Sequence, residues 1–161
     1  MFRSLALALL LAPSLLAQTT IDAGAALGRQ SYESRADDPK DLLSIEALGM
    51  RRSAGIHLAV DVADLSQEGR VTIVHPDLVY RWSLPMGFGL MIGGGPSWAQ
   101  HGGAGAPLTW NAELEASKRL GPATIFARVR QYDYGIPRFR EGEAGPSGPA
   151  VYAGVRFRIS G

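Results

Sequence analysis

From Thr20 onward the chain alternates, residue by residue, between an apolar side and a side that carries charge. In its last stretch, VYAGVRFRISG, Arg156 and Arg158 are threaded between Val155, Phe157 and Ile159. A period of two is the repeat of a β-strand, whose successive side chains point to opposite faces. Such a strand cannot bury both faces in an ordinary core, because each unpaired guanidinium in apolar surroundings is prohibitively costly. The two faces must therefore meet different environments.

The alternation predicts eight strands, over roughly 20–32, 42–52, 55–65, 70–83, 87–100, 108–119, 123–134 and 149–160,. In GIHLAVDVADL, Ile56, Leu58, Val60 and Val62 oppose His57, Ala59, Asp61 and Ala63. LTWNAELEAS sets Leu108, Trp110, Ala112, Leu114 and Ala116 against Thr109, Asn111, Glu113, Glu115 and Ser117. ATIFARVRQY sets Ile125, Ala127 and Val129 against Thr124, Phe126, Arg128 and Arg130. HPDLVYRWSL places Leu78, Tyr80 and Trp82 opposite Asp77, Val79 and Arg81, and GFGLMIGGGPSW puts Phe88, Leu90 and Ile92 opposite mostly glycine. In LSIEALGM, Leu43, Ile45 and Ala47 oppose Ser44 and Glu46 until Leu48 and Met50 blur the pattern. The first segment, IDAGAALGRQSY, carries the least directional information because it is mostly alanine and glycine.

Short links at Ser53-Ala54, LPMG and LGPA alternate with the longer ESRADDPKD, HGGAGAP and GIPRFREGEAGPSG, and only SQEG departs from the alternation by being short. That is the connectivity of an up-and-down antiparallel sheet with one bare end and one dressed end. Eight strands closed into a barrel leave an interior just wide enough for side chains and no exposed edge. The polar face collects Glu46, His57, Asp61, His75, Asp77, Arg81, Glu113, Glu115, Arg128, Arg130, Arg156 and Arg158: five acids, five arginines and two histidines. A balanced set of this kind suits a closed interior, where charges taken from water must be paired and hydrogen-bonded. The expectation is a polar network inside and an apolar face turned to lipid. Segments of this length can cross a bilayer when tilted. Tyr80, Trp82 and Phe88 gather at one end and Trp98 and Trp110 at the other, the placement of interfacial aromatic girdles,.

The start of the chain reads differently. MFRSLALALLLAPSLLAQTT has one positive charge at Arg3, an apolar run from Leu5 to Ala12, then Pro13, Ser14 and Ala17. This is the layout of a secretory signal peptide over 1–17, which leaves 18–161 as the barrel domain of an exported protein,. The absence of cysteine excludes disulfides, Cys-ligated metals, a thiol nucleophile and a lipoprotein anchor,. A formal net charge of +1 gives no electrostatic case for nucleic acid,.

On these features the chain resembles the small eight-stranded bacterial outer-membrane β-barrels of the OmpA/OmpX-like type. The resemblance implies an all-β transmembrane barrel in the outer membrane, in contact with lipid and lipopolysaccharide. It also implies a C-terminal signal read by the barrel-assembly machinery, whose places are filled by Tyr152, Gly154, Phe157 and Ile159. The chain departs from that pattern by ending Ser160-Gly161 rather than on an aromatic residue. Closed edges make a monomer the default.

No catalytic, metal or cofactor site is expected. The His-x-Ser arrangement of the lipid A 3-O-deacylases fails at His101, where position 103 is glycine. His57 with Asp61 and His75 with Asp77 could orient a base, and they read more simply as members of the interior network. Asp37, Asp38 and Asp41 lack a third fixed ligand for a divalent cation, and GGGPSWAQHGGAG has no following helix to hold phosphate,. Gly89, Gly93 and Gly95 are expected to face inward opposite bulky Arg or Tyr. The expected role is structural or one of surface interaction, through loops that include 136–148. Two alternatives stay open: a narrow transport barrel, and a secreted lipocalin-like barrel that turns Leu, Ile and Val inward around a hydrophobic ligand.

Overall fold

A computed structural model describes residues 19–30, 40–65, 69–101, 108–132 and 148–160. The signal segment, Asp37 and Asp38, Gly103 and most of the 136–148 loop lie outside them. The described residues form eight strands: β1 (Thr20–Gln30), β2 (Lys40–Arg51), β3 (Ala54–Leu65), β4 (Gly69–Ser83), β5 (Phe88–His101), β6 (Leu108–Leu120), β7 (Ala123–Tyr132) and β8 (Gly148–Ser160). Each pairs antiparallel with the next and β8 returns to β1, so the sheet closes in sequence order. No strand edge is left open, as the alternation of short and long links predicts.

The register fixes the barrel's geometry. Stepping across directly opposed residues, Thr20 leads to Met50, Gly55, Val79, Gly93, Glu113, Arg130, Ala150 and back to Gln30, ten residues further along β1. With a rise of about 3.3 Å per residue and strands about 4.8 Å apart, that stagger over eight strands tilts them by about 40°. Side chains on distant strands are thereby brought to one level.

Three tight turns close one end. Arg52 sits at φ 56° between β2 and β3, and Gly121 at φ 63° begins the Gly121-Pro122 turn between β6 and β7. Between β4 and β5 a single 3-10 turn, Pro85–Gly87, follows Leu84, whose N–H donates to Phe88 O at 2.9 Å. Both β1's start and β8's end lie at this turn end.

The faces separate cleanly. Val60 and Leu114 point outward and are well exposed, while Glu113 and Arg156 are buried inside. The lipocalin-like arrangement, with Leu, Ile and Val inward, is therefore not what forms. The interior is not wholly polar. Leu48, Met50, Val79 and Met91 form an apolar cluster on the turn side of the barrel. This explains the blur at Leu48 and Met50: both keep the inward parity of Ser44 and Glu46 and pack there.

Among the described residues the β1–β8 ladder shifts register between Ile21 and Asp22, and the β4–β5 ladder has a gap. Between the Val74–Trp98 and Leu78–Gly94 pairs, β4 and β5 have no paired residues. Carrying the register through, Pro76 faces Pro96, and neither can donate a backbone hydrogen bond. This break lies in the middle of both strands.

Candidate functional site

The feature with concentrated chemistry is the interior. Glu46, His57, Asp61, His75, Asp77, Glu113, Glu115, Arg128, Arg130 and Arg156 are all buried. Five strands, β2, β3, β4, β6 and β7, meet through Arg128 and Arg130. Arg128 bonds Glu46, reaches Glu113 at 3.4 Å and lies 3.0 Å from His57 Nε2. Its guanidinium stacks over Phe126 at 4.9 Å and Tyr152 at 5.3 Å. Arg130 donates to Glu113 at 2.7 Å, Asp61 at 3.1 Å and Asp77 at 3.2 Å.

Around this pair the network extends in both directions. His57 Nδ1 lies 2.8 Å from Glu113 Oε1, and its Nε2 is 3.4 Å from Glu46. Asp61 accepts from the Tyr132 hydroxyl at 2.8 Å and the Tyr152 hydroxyl at 2.5 Å, with His75 Nε2 at 3.2 Å. Toward the turn end, Arg156 bonds Glu115 and reaches Glu46 at 3.4 Å. Buried charges persist only when paired and hydrogen-bonded, and here each carboxylate of the network has a cationic partner or a hydrogen-bond donor within reach.

Two of the expected members stand apart from the fully enclosed set. Arg81 is half-buried and bonds Ser117 Oγ at 3.4 Å. Arg158 keeps 29% of its side chain exposed and donates to Asp22 at 3.1 Å. They are correctly faced, but they sit where β4 and β8 run out at the turn end, so water reaches them. The steric expectation for the β5 glycines also needs correction. Gly89 does face Arg81, whereas Gly93 faces Val79 and Glu113, and Gly95 faces Asp77 and the Pro76 carbonyl. The close approach to a tyrosine is at Gly28 in β1, where any Cβ would overlap the Tyr152 ring.

Several interior residues lie outside the expected network: Asp22, Ser97, Tyr132 and Asn111 are buried, as is Tyr152, expected only as part of the assembly signal. Their parity carried the signal, since Tyr152 is four residues from Arg156 and Asn111 two from Glu113. Asn111 is structurally important. Its Nδ2, with two hydrogens to share among them, lies 2.8 Å from Asp77 Oδ1, 2.8 Å from Ser97 Oγ and 3.1 Å from Gly95 O,.

His57, Asp77 and Glu113 each offer a ligand atom, all within 4.8 Å of one another. Arg128 and Arg130 already contact these acids, so a divalent ion would have to displace guanidinium groups from them. The triad belongs to the ionic network. Of the proposed assembly signal, Tyr152 points inward, while Phe157 and Ile159 are exposed outward. Tyr80, Trp82, Phe88, Trp98 and Trp110 also point outward, each exposed by 39–49%.

No family model matches the sequence, and no curated protein matches it. Solved structures do. The crystal structure of Neisserial surface protein A superimposes with a TM-score of 0.60 at 11% identity, over 88% of this chain and 97% of that one. The solution structure of the de novo designed TMB2.3 gives 0.56 at 10% identity, over 88% and 95%. The likeness is one of fold. At such identities it extends to the closed eight-stranded barrel and leaves the interior side chains as this chain's own.

Proposed function

We propose that the protein is an outer-membrane β-barrel with a structural or surface-interaction role, its interior closed by its own ionic network and carrying no catalysis. One observation carries this reading. Between Arg29, Asp41, Gln100 and Gln131 near one end and Arg51 and Lys118 near the other, the outward side chains described on all eight strands are uncharged. Almost all are apolar, from Leu27, Ile45 and Leu58 through Leu78, Ile92 and Leu114 to Val129, Val151 and Phe157. Monomeric soluble proteins rarely expose contiguous apolar patches beyond a few hundred Å².

The band also has the right height. Ten residues separate Phe88 from Trp98 on β5. At about 3.3 Å per residue and a tilt of about 40°, they rise about 25 Å, the height of the apolar belt of outer-membrane barrels. Outward aromatics at both limits suit the two lipid–water interfaces. A shared fold with a Neisserial surface protein supports the same placement.

In this reading the turn end faces the periplasm and the long links, including 136–148, face outward to lipopolysaccharide or a partner. Tyr152, Gly154, Phe157 and Ile159 serve the assembly machinery, and the barrel is a monomer. Leader cleavage after position 17 delivers it for export. Carbonate-resistant pelleting with membranes and heat-modifiable gel migration test the placement. Recovery of folded protein in the soluble periplasmic fraction would refute it.

Conduction is the competing role. Arg128 and Arg130 cross the lumen to contact Glu46, Asp61 and Asp77 on the opposite wall. That arrangement favours a plug. In planar bilayers, the wild-type barrel should carry no stepwise current, while Arg128→Ala and Glu113→Ala should. Steady wild-type conductance would favour transport instead.

A further inference from the structure

The turn end holds a second concentration of charge that the interior network does not account for. A cavity of about 400 Å³ opens there, lined by Arg52, Arg81, Arg119 and Arg158. Met50, Leu84 and Phe88 supply apolar wall, and Thr20, Ser83 and Thr124 line it with hydroxyl-bearing side chains. Among the described residues, no acidic side chain lines it. One nearby acid, Asp22, is engaged with Arg158 at 3.1 Å.

Four arginines lining one concave surface concentrate positive charge there, and an anion relieves the repulsion among them,. Two of them are held by contacts that leave donors free. Arg119 Nε donates to Gly121 O at 3.2 Å, which anchors it beside the β6–β7 turn. Arg81 spends one donor on Ser117 at 3.4 Å, while its enclosed Nε meets no acceptor among the described residues. Arg52, exposed in the β2–β3 turn, also lines the cavity.

We propose that this vestibule is an oxyanion site selective for phosphate groups. The planar five-donor fork of arginine matches phosphate oxygens in pairs, and several such forks favour a multiply charged oxyanion over chloride. The mixed lining admits either a free phosphate or the phosphate of a lipid headgroup, whose first acyl carbons would lie along Leu84 and Phe88. The site goes beyond the closed-barrel role, since none of its four arginines belongs to the fully enclosed set.

The test uses the protein folded in a non-ionic maltoside detergent, with calorimetric titration of inorganic phosphate, dihexanoyl phosphatidylglycerol and dihexanoyl phosphatidylcholine. Saturable binding of inorganic phosphate places recognition in the phosphate itself. Binding of phosphatidylglycerol without inorganic phosphate or phosphatidylcholine assigns the site to an anionic headgroup. In either case Arg52→Ala/Arg119→Ala should weaken binding at least tenfold, and Arg81→Gln should do so separately. Arg52 and Arg119 are exposed, so the double variant should keep its heat-modifiable fold. Arg29→Ala, at the opposite end, should change nothing. Wild-type protein that binds none of the three probes, or an Arg52→Ala/Arg119→Ala variant that binds as wild type does, overturns the proposal.

Discussion

Replacing Arg130 by methionine should unfold the barrel at a distinctly lower denaturant concentration, by an amount that reports how dry its interior is. Arg130 is fully buried and donates to Glu113, Asp61 and Asp77. Hydrogen bonds to charged groups contribute about 1.5–3 kcal/mol each, which overstates a sum because the guanidinium's own desolvation cost disappears with it. Breaking a buried pair by removing one partner typically costs about 3–5 kcal/mol, and that is the expected loss. Removing Glu113 as well, in Arg130→Met/Glu113→Gln, should restore at least about 1–2 kcal/mol, because contacting residues in one network do not behave additively. Urea unfolding in lipid vesicles, followed by tryptophan fluorescence and cold gel migration, gives both values. A single-variant loss below about 1 kcal/mol, with no recovery in the double variant, would match a solvated surface pair. It would mean that water fills the lumen and that the network is not a plug.

Other expectations follow from the outer wall and the turns. Leu114→Arg, in the middle of the outward band, should cost about 2–4 kcal/mol in bilayers, whereas Leu120→Lys near the turn end should cost about 0–1 kcal/mol,. Equal costs would argue against a membrane midplane at Leu114. Arg52→Gly should stabilise the fold by about 1 kcal/mol in the same unfolding assay, since glycine adopts φ 56° without a Cβ penalty,. A loss of stability would show that the Arg52 side chain contributes more than its backbone costs. Trp82 and Trp98, kept one at a time, should be quenched more strongly by lipids labelled near the headgroup than by lipids labelled near the acyl terminus. The reverse order would remove them from the interfaces.

How much of this was legible depended on what each residue's neighbours were. β3, β6 and β7 showed their faces plainly because within each strand the charged residues, His57 and Asp61, Glu113 and Glu115, Arg128 and Arg130, keep one parity. β1 was faint for a steric reason: opposite Tyr152 and Arg156 there is room only for Gly28 and Gly24, so the strand lost the bulky residues that mark a face. β2 was blurred because an interior of this width closes its lower end with Leu48 and Met50 instead of charge. Pairing across the lumen was out of reach. Arg128 and Glu46 lie 82 positions apart, and only the ten-residue stagger of the closed sheet brings them together. The half-exposure of Arg81 and Arg158 likewise depended on where strands end, which alternation does not encode. The vestibule had no sequence signature, because its arginines come from one turn and the ends of three separate strands.

The facing prolines in β4 and β5 give the polar interior a mechanical task. Where the backbone cannot stitch the two strands, Asn111 reaches across from β6 to hold Asp77 on one side and Gly95 and Ser97 on the other, and His75 meets Ser97 at 2.8 Å. Side chains thus act as sutures along a slit in the cylinder. Loosening them should unzip the wall at that line before any other, so the same groups that fill the tube also keep it shut.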